Sequence, residues 1–274
     1  MAGIQFMMAP MCCFGGSAKV IKYVGDTNLF ARASGERQLL VYSMSVAASE
    51  PVAMILPLPV PPGPAEDAVR FIDLHGYAKL FDDLDRGFPE TTLSLPKSRS
   101  LLARSAPAPA PLKVHKVGAF EASFVPTLAD LNRLDPRFRM SDAVWRALPQ
   151  YADWGFCVFK LIDLKRRWFG GADRRTIHPM EFEFPRRDPS RLVFPTVHVH
   201  DGEVHEQAAY DHTLYYQADH PLPANLGVWL TQTSPTAAQA FVDVSRTAGV
   251  IDHAAPVHRL GIAGNQRNTD VLLG

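Results

Sequence analysis

Hydrophobic positions fall into short alternating or continuous runs rather than long stripes of helical period. Three such runs open the chain, at Val20–Ala33, Gln38–Val46 and Val52–Val60, each rich in residues that suit a pleated surface. Gly35-Glu36 between the first two predicts a hairpin turn. Pro57 and Pro59 each remove a backbone donor, which predicts that the third run ends on a sheet edge. Pro64 followed by Glu66 and Asp67 predicts a helix with Ala68, Phe71, Ile72 and His75 on its apolar side. A second short helix is predicted over Tyr77–Asp85, and its Asp82, Asp83 and Asp85 read as a solvated face.

Beyond Lys113 the pattern predicts a strand over Lys113–Val125. Two short helices follow, with Thr127 and Asp130 at the start of the first and Ser141 capping the second. Trp154–Phe169 and Thr176–Phe184 bracket a glycine-containing turn. Met180, Phe182 and Phe184 alternate with Glu181 and Glu183, which puts them on opposite faces of a strand. Arg191–His200 and Glu203–Gln217 bracket Asp201-Gly202, a strong hairpin signal. Ser234, Pro235, the apolar positions through Val244, Arg246 and then Gly249 predict one further helix. Strands that follow one another with peripheral helices predict an α+β fold on largely antiparallel sheet, with a meander in the C-terminal half.

Length and composition narrow the class. The chain has 274 residues, enough to bury a core without a disulfide or metal staple. The Ala/Pro alternation within 96–111 favours polyproline II, so residues 1–95 and 112–274 read as two halves joined by a linker, or as one domain crossed by a long loop. Lys and Arg total 28 and Asp and Glu total 28, so no global charge draws the chain to nucleic acid or to an anionic membrane. The apolar N-terminal segment lacks the basic n-region of a secretory signal, its first cation being Lys19, and Val52–Pro62 falls short of the roughly 20 residues that span a bilayer. Three cysteines make no disulfide framework, and a cytoplasmic setting is the expectation.

The candidate chemistry is a histidine cluster. Six of the ten histidines lie between His178 and His220. If Asp201-Gly202 is a two-residue turn, His200 opposes Glu203 and His198 opposes His205, and all four project from one face while Val197, Val199 and Val204 take the other. Cross-strand Cβ atoms about 5 Å apart would let three imidazoles and a carboxylate converge on one ion. Those donors suit Zn, Fe, Mn or Ni, and an open position would support a hydrolase or oxygenase acting on a small-molecule substrate. Asp201, Asp211 and His212 are the candidates for a general base or for orienting the ligands. On a regular return strand His212 points away from the other histidines. The same pattern also describes an antiparallel sheet with one wet face.

Two other readings stand beside it. Lys165–Phe169, with Arg174-Arg175 and Arg186-Arg187, and the proline-rich stretch could serve a binding or scaffold protein that contacts a protein partner. Cys12 or Cys13 could be the nucleophile of a cysteine-dependent hydrolase, although no cation or base lies near them in sequence. Cys157 reads as core, and Asn265, Asn268 and Asp270 read as loop-forming. No His-Glu-x-x-His, phosphate-binding loop or Gly-x-Ser-x-Gly elbow occurs in the sequence.

Overall fold

The computed structural model describes residues 13–15, 20–88, 114–117, 120–161, 175–226 and 230–274. The first strands are β1 (Cys13–Gly15), β2 (Ile21–Ser34), β3 (Arg37–Ala48), β4 (Val52–Leu58) and β5 (Arg70–Asp73), followed by helix α1 (Leu80–Arg86). Then come β6 (His115–Val117), β7 (Phe120–Val125), helix α2 (Asp142–Ala147) and β8 (Gly155–Leu161). The remainder holds β9 (Arg175–Thr176), β10 (Met180–Pro185), β11 (Leu192–Phe194), β12 (Gln207–Gln217), β13 (Thr231–Thr233), β14 (His258–Arg267) and β15 (Val271–Leu273).

These strands build two large sheets, ordered β1-β4-β8-β7-β6 and β13-β14-β12-β2-β3-β10-β5, with β9 also on β3 and a separate β11-β15 pair. Every pairing between them is antiparallel except β12 on β2. The fold is α+β on mostly antiparallel sheet, as its patterning predicts. Both large sheets take strands from either side of residues 96–111, which themselves lie outside the described residues.

Alternation along the strands sets the layers. Met54, Leu56 and Leu58 of β4 and Leu40, Tyr42 and Met44 of β3 meet in one cluster between the sheets, joined by Phe159, Phe182 and Leu214. The intervening residues face outward. Ala53 and Ile55 pack under α2 with Trp145 and Tyr151. Leu39 and Val41 pack under α1 with Leu80, Phe81 and Leu84. β3 and β4 are therefore covered on both faces, which is why they read as nearly unbroken apolar runs.

Several expectations hold in detail. Ser34 pairs with Arg37 across Gly35-Glu36, with Gly35 at φ 58°, a value that glycine adopts without the Cβ penalty. Ser141 caps α2 by accepting from the Val144 N–H. Met180, Phe182 and Phe184 face the inter-sheet core.

Others are corrected by tertiary partners. The helix expected from Pro64 is instead a turn leading into β5, because Phe71 and Ile72 pair with Phe182 and Glu181 at the sheet edge. Pro57 does lie at an open edge, but only locally, since β1 covers β4 at Ala53–Ile55 and stops before it. The expected strand Lys113–Val125 divides into β6 and β7, which pair with each other. β8 and β10 lie in different sheets rather than in one hairpin.

The helix expected from Ser234 reduces to 3-10 turns at Ala238–Ala240 and Val244–Arg246. Its amides are diverted: Ala238 N–H goes to Ala255 O, Gln239 N–H to His253 O, and Asp243 N–H to the Tyr77 hydroxyl. Ser234 spends its side chain on Val257 N–H and Thr236 O instead of a cap. Among the described residues no helix is long and apolar enough to cross a membrane.

Gly15 in β1 tests the packing between the first strand and the loop before α2. A Cβ there would sit 1.9 Å from the Phe138 carbonyl oxygen, a backbone atom that cannot swing aside. Gly15→Ala is expected to cost at least about 2 kcal/mol, read as a lower denaturant midpoint at unchanged slope.

Candidate functional site

Residues 196–206 run between β11 and β12 with one isolated bridge, Val199 to Cys13, and side chains meet several of their backbone groups. Side chains near the C-terminus do this work. Asp270 accepts from the amides of Thr196 (2.9 Å) and Val197 (3.3 Å), while its second oxygen accepts from the Tyr151 hydroxyl at 2.7 Å. Asn268 accepts from the His198 amide at 2.7 Å and donates to the carbonyls of His198 (2.9 Å) and His205 (3.0 Å). Thr196 Oγ1 donates to Thr269 O and accepts from Val271 N–H. Burial pushes the Asp270 carboxyl up to about 6 against the pull of those donors.

Held this way, the segment alternates. Val197 and Val199 enter the cluster under α2, and Val204 packs against it, as expected. Val199 also accepts from the Phe14 amide. His198 turns the other way and is only 2% exposed. Its ring lies 4.3 Å from Tyr210 and 5.3 Å from His212, centre to centre, with the imidazole planes 17° apart. Tyr210, His212, Leu214 and Tyr216 share the inward face of β12, so His212 enters the core and meets His198 there. The two-residue period from Tyr210 to Tyr216 carries that signal in sequence.

The polar inventory of this cluster is unusual. Both ring nitrogens of His198, both of His212 and Nδ1 of His200 are buried without a hydrogen bond. Tyr210 directs its hydroxyl to the Thr196 carbonyl at 3.2 Å. Burial, then the neighbouring His200, depress His198 to about 3. Burial likewise holds His212 well below the ordinary imidazole range and lowers His200. All three rings are neutral at pH 7.

The expected hairpin does not form. Asp201 uses its carboxylate on the Glu203 amide at 3.0 Å and on the His205 ring at 2.6 Å, closing a surface turn with Gly202 at φ 86°. β12 begins only at Gln207, where its partner is β14, and the incoming segment is held by the Asn268 and Asp270 side chains instead of a ladder to β12. His198 and His205 are therefore not opposed. His205 is exposed and its pKa is raised by the Asp201 carboxylate, while Glu203 is exposed on the same turn.

Among the described residues, no three His, Cys, Asp or Glu side chains form a set able to enclose an ion, so the four-ligand arrangement of His198, His200, Glu203 and His205 is absent. The proposed base or orienting groups separate as well. Asp201 stays in the surface turn, His212 is core, and Asp211 accepts from the Asp26 amide at 3.0 Å. Asp26 has φ 53° at a bulge in β2, and Asp211 steadies that bulge.

Cys13 is buried with its thiol toward the Val197 carbonyl at 3.5 Å, which removes it as an exposed nucleophile. Cys12 lies outside the described residues. Cys157 is core, and burial pushes its thiol well up. Residues 165–169 and Arg174 lie outside the described residues, as does the side chain of Arg175. Arg187 is spent on Asp153 and the Val60 carbonyl, and Arg186 on the carbonyls of Pro189 and Arg191.

Tyr210, Asn268, Asp270 and Tyr151 complete the site and are not evident as such from the sequence. Asn268 tests the clamp on Thr196–Glu206. Asn268→Ala removes three hydrogen bonds and is expected to cost about 2–3 kcal/mol in denaturant unfolding. Amide exchange should rise within residues 196–206 and stay unchanged in α1, since the two lie on different layers.

No protein-family model matches this sequence, and no curated protein matches it. Among solved structures, a crystal structure of baculovirus P35 is similar, with 11% identity, a TM-score of 0.46, and coverage of 93% of this chain and 96% of that one. A likeness of that size bears on neither family nor chemistry.

Proposed function

We propose that the protein binds a divalent transition-metal ion at the buried imidazole pair, with His198 and His212 as its two protein donors. The observation that carries this reading is the set of ring nitrogens on His198 and His212, all four buried and none hydrogen-bonded. A buried polar atom without a partner costs about 1–3 kcal/mol, so a fold that keeps four of them calls for a ligand. Neutral imidazole suits Zn, Ni and Fe(II) better than Mn(II).

Positions left open on such an ion are what a hydrolase or oxygenase reaction on a small molecule would require. The reading advanced is binding, and catalysis would be its extension.

Metal analysis of protein prepared without a histidine tag tests the proposal. Near-stoichiometric zinc, nickel or iron is expected, lost in a His198→Ala, His212→Ala double variant. After chelation and dialysis, zinc at a hundredfold excess over its Kd should raise Tm by about 5 °C or more. His212→Leu separates this from mere packing: it should melt no lower than the metal-free parent, because an unpaired polar ring is replaced by an apolar one, and it should lose the zinc response. Metal-free protein whose Tm ignores zinc, nickel, cobalt and iron overturns the reading.

A further inference from the structure

A second buried ionisable group lies on the opposite side of the second sheet. Glu181 of β10 is 1% exposed, and neither of its carboxyl oxygens makes a hydrogen bond. Its cross-strand neighbours are Val41 of β3 and Ile72 of β5. Both belong to the outer apolar cluster, where Leu74, Tyr77, Leu80, Phe81 and Leu84 lie over the sheet. The carboxyl therefore sits beneath the α1 layer in surroundings that offer it nothing to bind.

The charges around it are already committed. Glu183, two residues on, is gripped by Arg37 of β3 and Arg70 of β5, and these hold its carboxyl below the usual range although burial opposes them. Arg70 is the cation that acts on Glu181, and Glu183 is the opposing anion. In the layer above, Asp83 accepts from the Tyr77 hydroxyl at 2.7 Å and pairs with Arg86, while Asp85 pairs with Arg259. None of these reaches Glu181 as a partner.

We propose that Glu181 is a pH-sensitive latch beneath the α1 layer, closed when its carboxyl is protonated and opened when ionisation forces water onto it. Burial is the largest cause of its raised pKa, about 8, with Glu183 adding to it and Arg70 opposing. The sign follows from proton linkage. A carboxyl bound more tightly to its proton in the closed state stabilises that state fully below the ordinary glutamate range. This contribution falls as pH rises and is gone above about pH 8.

Amide exchange of the whole chain tests this. After correction for intrinsic rates, protection of α1 and of Leu74–Tyr77 should fall by roughly tenfold per pH unit from about pH 6 to 8 and then level off. Glu181→Gln should abolish that slope while keeping the layer protected. An unchanged slope in the variant, or a flat profile in the parent, overturns the proposal. Should Glu181→Gln fail to fold, carboxyl-carbon NMR of the unaltered protein decides: titration near pH 8 supports the latch, and titration in the ordinary glutamate range removes it.

Discussion

Two side chains, Asn268 and Asp270, replace a missing β partner for Thr196–Glu206. A backbone segment entering the core must have its amides and carbonyls satisfied. Here a carboxamide and a carboxylate supply what a neighbouring strand would otherwise give, and Tyr151 anchors the carboxylate from the layer under α2. Once that clamp is set, Val197 and Val199 must go one way and His198 the other. The imidazole pair, the closure over the outer face of the first sheet and the surface turn at Asp201 all follow from it.

The two unsatisfied features differ in kind. Neutral imidazoles carry lone pairs that a soft or borderline ion can use, and they meet across two separate pieces of chain. Glu181 stands alone on a strand and has only its own ionisation to respond with. On the proposals above, the first would be a place for an ion to bind, and the second would respond to solvent alone. Both sit against the second sheet, on its two faces, and neither is explained by packing, since apolar residues of like volume would fill the same space at lower cost.

Local chemistry was legible wherever the partner lay nearby in sequence. Gly35-Glu36 sets the β2–β3 reversal, Ser141 starts α2, and the alternation from Met180 to Phe184 reports which side is core. The misreadings share one cause. Phe71 and Ile72 fit a helical stripe in their local sequence, but β10, which captures them, lies more than a hundred residues on. Ser234–Arg246 has sound helix signals, yet carbonyls at His253 and Ala255 and the Tyr77 hydroxyl take its amides. Asp201-Gly202 carries a hairpin signature, but Asn268 and Asp270, far on in the chain, take the backbone groups of the incoming segment. For the same reason the inward period of β12 was visible, whereas its meeting with His198 was not: that depends on Asn268 and Asp270, whose residue types speak only of loops.

The parallel pairing of β2 against β12 has a consequence for how the chain is made. Residues 26 and 211, bonded at the margin of that pairing, are 185 apart in sequence. A growing chain emerging from the ribosome can close the β2–β3 hairpin early, but β2's other edge has no mate until most of the polypeptide has been translated. Through that interval β2 keeps an unpaired edge bordered by large apolar side chains, the kind of edge that another chain can pair with before β12 arrives.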